Sequence, residues 1–285
     1  MKNIYKDSWK VLKLHSLLTV PFILYLYFIS ISMTRSQSAP SKSIFLVFIF
    51  TGFLLTVCFF AGWFYMAKNA VENYNQIKEN GINPQKDYAF DNLKLFFSGV
   101  GEYFIPVAFA LFLYIIILSL FLYGIYLTGN HLIGGFPITY SQLKLISTNP
   151  VEANNIISTL NQSQLMQLSA WSFLFMSSYL FYSYSTMFYY PALFYRTKNC
   201  FKAFFESFIF TFRNIKLTLV LFLFYILSKT ILSVINSIFT SNFLLSTASL
   251  LIIVYFAAYW IKILFYTYEQ KENYSIDRSD SFGKK

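Results

Sequence analysis

One lysine, Lys229, lies in the middle of an otherwise apolar stretch, FYILSKTILSVINS at 224–237. It comes about 12 residues after the start of the apolar run Leu217–Phe239, roughly 18 Å along a helix that rises 1.5 Å per residue. If that run crosses a bilayer, a charge there costs about 2.5–3.5 kcal/mol on insertion scales. Such a cation needs water, hydrogen-bond acceptors or a bound anion beside it, unless the amine is neutral. Lys262, in contrast, stands one turn from the end of a later apolar run, where we expect its side chain to extend to water.

Polar side chains recur around Lys229 at helical spacing, which puts them on one helix face. They are Tyr225, Lys229, Ser233, Asn236 and Thr240. A similar stripe marks the preceding apolar run (Ser178, Tyr182, Ser185 and Tyr189), and the following run adds Tyr255 and Tyr259. Together they predict a polar interior between these three helices. Two interpretations stay open: the polar groups join the helices by hydrogen bonds, or they form a site for an anionic solute or a lipid headgroup.

The sequence offers no group of residues that could carry out catalysis. All twelve acidic residues lie outside the apolar runs, whereas an enzyme needs convergent acids, bases or metal ligands. No HExxH, Gly-rich phosphate loop or GxSxG motif occurs. The two cysteines and two histidines, Cys58, Cys200, His15 and His131, are too few and too scattered for a metal cluster. We therefore predict no enzymatic activity, no metal and no cofactor.

The composition is typical of a membrane protein. Hydrophobic residues make up 56% of the 285 and charged residues only 12%, against roughly a quarter charged in soluble domains. A soluble domain could not bury that much apolar surface, so part of it must face lipid. The net charge of +10 is compatible with nucleic-acid binding, but the basic residues stand at the ends of apolar runs. That distribution is the membrane-orientation pattern, and we predict no nucleic-acid partner.

Six stretches reach the roughly 20 apolar residues that a membrane-spanning helix needs. They are Leu14–Met33, Ser43–Met66, Phe104–Leu127, Ala170–Tyr195, Leu217–Phe239 and Phe243–Tyr266. The predicted fold is all-α: a polytopic membrane protein with one helical domain over 1–270 and a flexible tail over 271–285. The long loop after the third span is expected to contain a helix that starts at Pro150, following Asn149.

The distribution of lysine and arginine sets the predicted orientation. Most of the 22 basic residues fall in the N-terminal segment, the second and fourth loops, and the C-terminal tail. The opposite side carries only Arg35, Lys42 and Lys144. Because cytoplasmic loops carry the excess of positive charge, we predict a protein of the cell membrane with both termini in the cytoplasm.

Two cytoplasmic segments are predicted to form amphipathic helices in the membrane interface. The segment 91–104 carries an apolar stripe that includes Phe96 and Phe97, and the segment 199–214 carries one with Phe204, Phe205 and Phe208. We expect these helices to bind anionic lipid headgroups, a protein partner or a second copy of the chain.

Several short motifs resemble a family of prokaryotic multi-pass membrane proteins known only as a domain of unknown function. Gly62-Trp63 closes a span, a turn follows at Asn83-Pro84, and an acidic-start helix runs from Asp91 to Gly99. The family has a Trp after the turn proline, and here no Trp follows Pro84. The resemblance implies a membrane architecture and no activity, so it assigns no functional residue.

The sequence thus predicts an integral membrane protein without catalytic activity, a scaffold or accessory subunit that binds lipid or a partner protein. The alternative is a transporter of a small solute or lipid. Its polar interior would contain Lys229, Tyr225, Ser233, Asn236, Tyr182 and Tyr189.

Overall fold

The computed structural model describes residues 2–15, 18–37, 41–80, 88–239 and 243–282. Over these ranges the chain forms eleven α helices and no strand, which confirms the predicted all-α class. In chain order they are α1 (Lys2–Leu14), α2 (Thr19–Gln37), α3 (Lys42–Asn80), α4 (Tyr88–Leu132), α5 (Tyr140–Thr148), α6 (Pro150–Thr159), α7 (Gln162–Ser185), α8 (Tyr189–Tyr195), α9 (Cys200–Arg213), α10 (Ile215–Phe239) and α11 (Phe243–Phe282). Thr240, the last residue of the predicted polar face, lies outside the described ranges.

Within the residues that the structure describes, four helices are long and apolar enough to cross a membrane: α3, α10, α4 over Lys94–Leu132, and α11 over Leu245–Lys271. Large apolar side chains on these helices are exposed, for example Phe109 and Leu120 on α4 and Val234 on α10. A soluble protein would not leave such extensive apolar surface in water. The four helices therefore indicate a membrane-embedded protein.

The fourth predicted span, Ala170–Tyr195, is divided into α7 and α8 by a turn at 186–188. Pro191 explains the break, because it has no amide hydrogen to donate to the Met187 carbonyl and its ring would clash there in a continuous helix. In the structure Pro191 lies in the first turn of α8, where no intrahelical donor is needed. A single helix over this stretch is therefore the wrong description.

The segment 91–104 does not form a separate helix. α4 runs without interruption from Tyr88 to Leu132, through the point where an interfacial helix was predicted to end. Pro106 lies inside α4 and removes one backbone hydrogen bond without ending the helix. The prediction of two distinct elements here was wrong, because an amphipathic stripe and the apolar run after it continue on one helical axis.

Two glycines allow α3 and α4 to approach closely. A Cβ atom on Gly62 would lie 2.5 Å from the Phe96 ring, and one on Gly99 would lie 2.5 Å from Cβ of Tyr65 and 3.0 Å from the Ala61 carbonyl oxygen. Gly62 belongs to the Gly62-Trp63 motif of the sequence, and Gly99 ends the motif that starts at Asp91. These motifs therefore pack against each other.

The chain forms two compact units, Met1–Phe112 with Ser185–Lys285, and Leu113–Tyr184. The second unit is centred on Trp171 of α7, which is fully buried and donates a hydrogen bond from Nε1 to the Gly134 carbonyl at 3.2 Å. Gly134 has φ +95°, in the left-handed region that favours glycine. In this unit α6 begins at Pro150, as the sequence predicted.

In the first unit, α1 packs on α3 and α11, and the helix of the first predicted span is α2, which begins at Thr19 rather than at Leu14. Lys262 of α11 is 0% exposed, and its Nζ donates to the Val11 carbonyl of α1 at 2.8 Å. The expectation that Lys262 extends to water was wrong, because α1 covers the place where its side chain would emerge. α11 itself continues to Phe282, through most of the predicted tail.

Candidate functional site

The first unit contains a cavity of about 500 Å³ beside Lys229. α2 and α3 contribute Phe22, Tyr25, Phe60, Trp63 and Phe64, while α10 and α11 contribute Tyr225, Lys229, Leu232, Ser233, Asn236, Ile253, Phe256, Ala257, Trp260 and Ile261. The volume lies within the range of about 300–1,000 Å³ that is usual for ligand pockets. Lys229 is exposed, so the cavity is a cleft rather than a closed void.

The polar wall of the cavity comes from one face of α10. Lys229, Ser233 and Asn236 are spaced by four and three residues, so they follow one another along the helix. The Asn236 Oδ1 atom accepts a hydrogen bond from the Ser249 hydroxyl of α11 at 2.7 Å. The structure thus places Lys229 in a short row of groups that can donate hydrogen bonds to an anion.

The rest of the wall is mainly aromatic. Tyr225 stacks on Trp260, with ring centroids 4.8 Å apart, and the Lys229 Nζ lies 5.9 Å from the Tyr225 ring centroid. A cation at that distance is attracted to the ring face. On the other side, Trp63 stacks on Phe22 at 5.0 Å, and its Nε1 donates to the Leu18 carbonyl at 2.8 Å. These stacked rings form the apolar part of the cavity wall.

No carboxylate forms an ion pair with Lys229 in the part of the chain that the structure describes. Its contact there is with the Tyr225 ring, and a cation–π contact compensates a charge only in part: about 0.5–1 kcal/mol at exposed sites and about 2 kcal/mol or more when desolvated. Water or a bound anion beside the ammonium would supply the remaining compensation. This combination, one cation on an aromatic wall, is suited to a ligand with an anionic group and an apolar body.

Two predicted site residues lie elsewhere. The Tyr182 hydroxyl donates to the Tyr114 carbonyl at 3.0 Å, and the Tyr189 hydroxyl donates to the Ala110 carbonyl at 3.3 Å. Neither lines the cavity beside Lys229. The polar interior was predicted between the last three spans, whereas the cavity lies between α2, α3, α10 and α11. The two tyrosines do not contribute to it, because their hydroxyls bond to backbone carbonyls of α4.

The phenylalanines predicted for the interfacial helices occupy different environments. On α9, Phe205 is 63% exposed and Phe208 is also exposed, whereas Phe204 packs edge-on against Tyr189 with centroids 5.8 Å apart. On α4, Phe97 is exposed and Phe96 packs against Gly62. α9 therefore exists as a separate helix with a largely aromatic outer face, and its buried face is made of Ala203, Ser207, Phe210 and Thr211.

The aromatic residues of α2 and α3 that complete the cavity were not predicted from the sequence. Trp63 was noted as part of a motif, but nothing in the sequence pairs it with the α10 face. The Asp7 carboxylate accepts hydrogen bonds from the Tyr74 and Tyr266 hydroxyls. This cluster was not predicted either, although Asp7 is the sole acid in the first 71 residues.

No protein-family model, no curated protein and no solved structure matches this chain. The resemblance to the family of multi-pass membrane proteins stays a prediction. The function must therefore be inferred from the cavity itself.

Proposed function

We propose that this protein is a non-catalytic multi-pass membrane protein that binds an anionic amphiphile, of the lipid or fatty-acid class, in the cavity around Lys229. The observation that carries the proposal is the ammonium of Lys229 on the wall of a mainly aromatic cavity of about 500 Å³, with no carboxylate paired to it in the described residues. This develops the transporter interpretation, because a protein that moves a lipid-like anion needs such a site.

An amphiphile is favoured over a small hydrated anion by the chemistry of the wall. A small anion such as phosphate or sulfate needs several donors to replace its water, and here Lys229, Ser233 and Asn236 are the polar residues among fifteen that line the cavity, apart from the hydroxyls and indole groups of the aromatic rings. The aromatic surface in turn gains free energy only when an apolar body covers it. A ligand with one anionic group and a hydrocarbon part satisfies both halves of the site.

The proposal includes the topology inferred from the sequence. The six spans would be α2, α3, α4, α7 with α8, α10 and α11, in the cell membrane, with both termini in the cytoplasm. The distribution of lysine and arginine supports this orientation. In this arrangement Lys229 lies near the middle of the bilayer, where an unpaired charge marks a functional site by default.

A scaffold role is the second candidate, and the outer face of α9 favours it. Phe201, Phe205 and Phe208 are exposed on this face, and α9 is too short to cross a bilayer. Such a helix either lies in the membrane interface or contacts a partner subunit. The scaffold role rests on α9 and not on the cavity, so variants of each can separate the two candidates by experiment.

We expect wild-type protein purified from membranes in mild detergent to carry a co-purifying anionic amphiphile, and Lys229→Leu to lose it. Lys229→Arg keeps the charge and should retain it. Extraction followed by mass spectrometry measures the bound amount, with Leu227→Ala as a control on the exposed face of the same helix. Equal amounts in wild type and Lys229→Leu would contradict the proposal. If a partner protein co-purifies in stoichiometric amount, and is lost in Phe205→Ser but not in Lys229→Leu, the result would support the scaffold role instead.

Cysteine labelling tests the proposed topology. With Cys58 and Cys200 replaced by alanine, single cysteines at Asn80 and Lys198 should react with an impermeant maleimide only from the cytoplasmic side. A cysteine at Asn154 should react only from outside. An outward-facing Lys198 would overturn the orientation, since its loop carries the densest positive charge.

A further inference from the structure

α1 has two chemically distinct faces. Its buried face includes Asp7, Ser8, Val11 and Leu12, whereas Lys6, Trp9, Lys10 and Lys13 are all exposed. At 100° per residue the exposed residues fall within one third of the helix circumference. α1 therefore presents a basic face on the side opposite to its contact with the bundle.

Two side chains of α11 hold α1 in place by donating hydrogen bonds to its backbone carbonyls. The Tyr259 hydroxyl donates to the Tyr5 carbonyl at 3.1 Å, and the Lys262 ammonium donates to the Val11 carbonyl at 2.8 Å. Basic amphipathic helices at membranes usually bury their apolar face in lipid. Here protein covers that face, so only the lysine face of α1 is available to a partner.

The neighbours of α1 show at which level of the bundle it lies. Tyr5 packs edge-on against Phe224 of α10, with ring centroids 5.1 Å apart, and Phe224 lies in an apolar stretch. Asp7 contacts Tyr74 and Lys78, which belong to the polar end of α3. α1 thus lies where the apolar part of the bundle gives way to its polar part, and lipid headgroups meet a membrane protein at that level.

The surroundings of Trp9 support the same position for α1, at the height of the lipid headgroups. It is 47% exposed, and the Lys13 ammonium lies 5.8 Å from the centroid of its ring. Tryptophan is enriched at the boundary between headgroups and hydrocarbon, and lysine extends from that boundary toward phosphate. Nearby, α2 starts with exposed apolar side chains, Val20, Ile23 and Leu24, so the hydrocarbon of the same leaflet begins close to the end of α1.

We propose that the exposed face of α1 is a docking surface for the headgroups of anionic phospholipids in the adjacent leaflet. Charge complementarity selects the occupant, because three exposed lysines on one face attract phosphate and no exposed acid interrupts them in the described part of α1. Asp7 contacts Lys10 at 3.9 Å but faces the bundle. This inference does not depend on the cavity around Lys229.

The test uses the full-length protein in nanodiscs made from equal parts of phosphatidylglycerol and phosphatidylcholine. Native mass spectrometry counts the lipids retained on the protein after the disc is removed. A lysine near a charged surface contributes about five-fold to binding, so Lys6→Gln with Lys13→Gln should lower the preference for phosphatidylglycerol at least several-fold. This pair spares the Lys10–Asp7 contact and leaves the buried face intact.

The matched control is Lys6→Arg with Lys13→Arg, which keeps both charges and should keep the lipid preference. Higher salt should weaken the preference in wild type and have less effect on the glutamine variant. An unchanged phosphatidylglycerol preference in a folded glutamine variant would overturn the proposal. So would an equal loss in the arginine variant, because packing rather than charge would then explain the effect. Neither result bears on ligand binding at Lys229.

Discussion

Gly99→Leu is expected to lower the stability of the folded protein by about 3 kcal/mol or more, which is at the upper end for overpacked contacts. The new Cβ alone would lie 2.5 Å from Cβ of Tyr65 and 3.0 Å from the Ala61 carbonyl oxygen. Both atoms are fixed to the α3 backbone, so the clash can be relieved only by separating α3 from α4. The loss should appear as a large fall in Tm in detergent, or as failure to accumulate in the membrane.

Gly101→Ala provides the matched control two residues away on the same helix. A Cβ on Gly101 would meet nothing within 4 Å, and alanine is favoured over glycine in a helix by about 1 kcal/mol. This variant should be as stable as wild type or more so. Wild-type stability of Gly99→Leu would mean that α3 and α4 do not meet at the two glycine motifs.

The second large effect is expected for Asp7→Ala, which should release α1 from the bundle. The Asp7 carboxylate accepts hydrogen bonds from Tyr74 at 3.1 Å, Tyr266 at 3.0 Å and Lys78 at 3.1 Å. Hydrogen bonds to a charged group contribute about 1.5–3 kcal/mol each. The Lys78 side chain is 56% exposed, so its share is small. Losing the two tyrosine contacts should cost about 3 kcal/mol and expose α1 to protease.

Lys10→Ala serves as the comparison for Asp7→Ala. Lys10 lies 3.9 Å from Asp7 and its side chain is 52% exposed, so its removal should cost less than about 1 kcal/mol. Limited proteolysis followed by mass spectrometry would detect cleavage within α1. Equal resistance of wild type and Asp7→Ala would show that the carboxylate does not hold α1 in place.

The Asp7 cluster also sets an expected pH dependence. Burial alone would raise the pKa of Asp7, but the hydrogen bonds from Lys78, Tyr266 and Tyr74 lower it below its ordinary value. A carboxylate with a depressed pKa in the folded state stabilises the protein above its unfolded pKa of about 3.9. That contribution is lost as the pH falls through the folded pKa. Protease resistance of α1 should therefore decline in acid in wild type, and Asp7→Ala should not show this decline.

Local sequence patterns predicted the features that depend on neighbouring residues. The all-α class follows from the length of the apolar runs, the start of α6 from Asn149-Pro150, and the shared face of Lys229, Ser233 and Asn236 from helical spacing. Each requires only a pattern within one continuous segment of the chain. Such signals are carried by the chain itself and need no knowledge of the packing.

Features that depend on distant contacts could not be read in this way. Trp63 of α3 and Tyr225 of α10 line the same cavity, although they are far apart in sequence and no pattern pairs them. Lys262 was expected to reach water because it lies close to the end of its apolar run. The sequence does not show that α1 packs across this position. The α7–α8 break was missed because Pro191 lies inside an apolar run, and hydropathy does not register a lost hydrogen bond.

Tryptophan fluorescence tests the central claim most directly, because Trp63 and Trp260 both line the cavity. Purified protein would be titrated with a brominated long-chain fatty acid, which quenches indole on contact. We expect saturable quenching in wild type and Lys229→Arg, reversed by the unbrominated acid and reduced in Trp260→Phe. Lys229→Leu should show only the weak, linear quenching of non-specific partition. The same saturable quenching in Lys229→Leu as in wild type would contradict an anionic ligand site at Lys229.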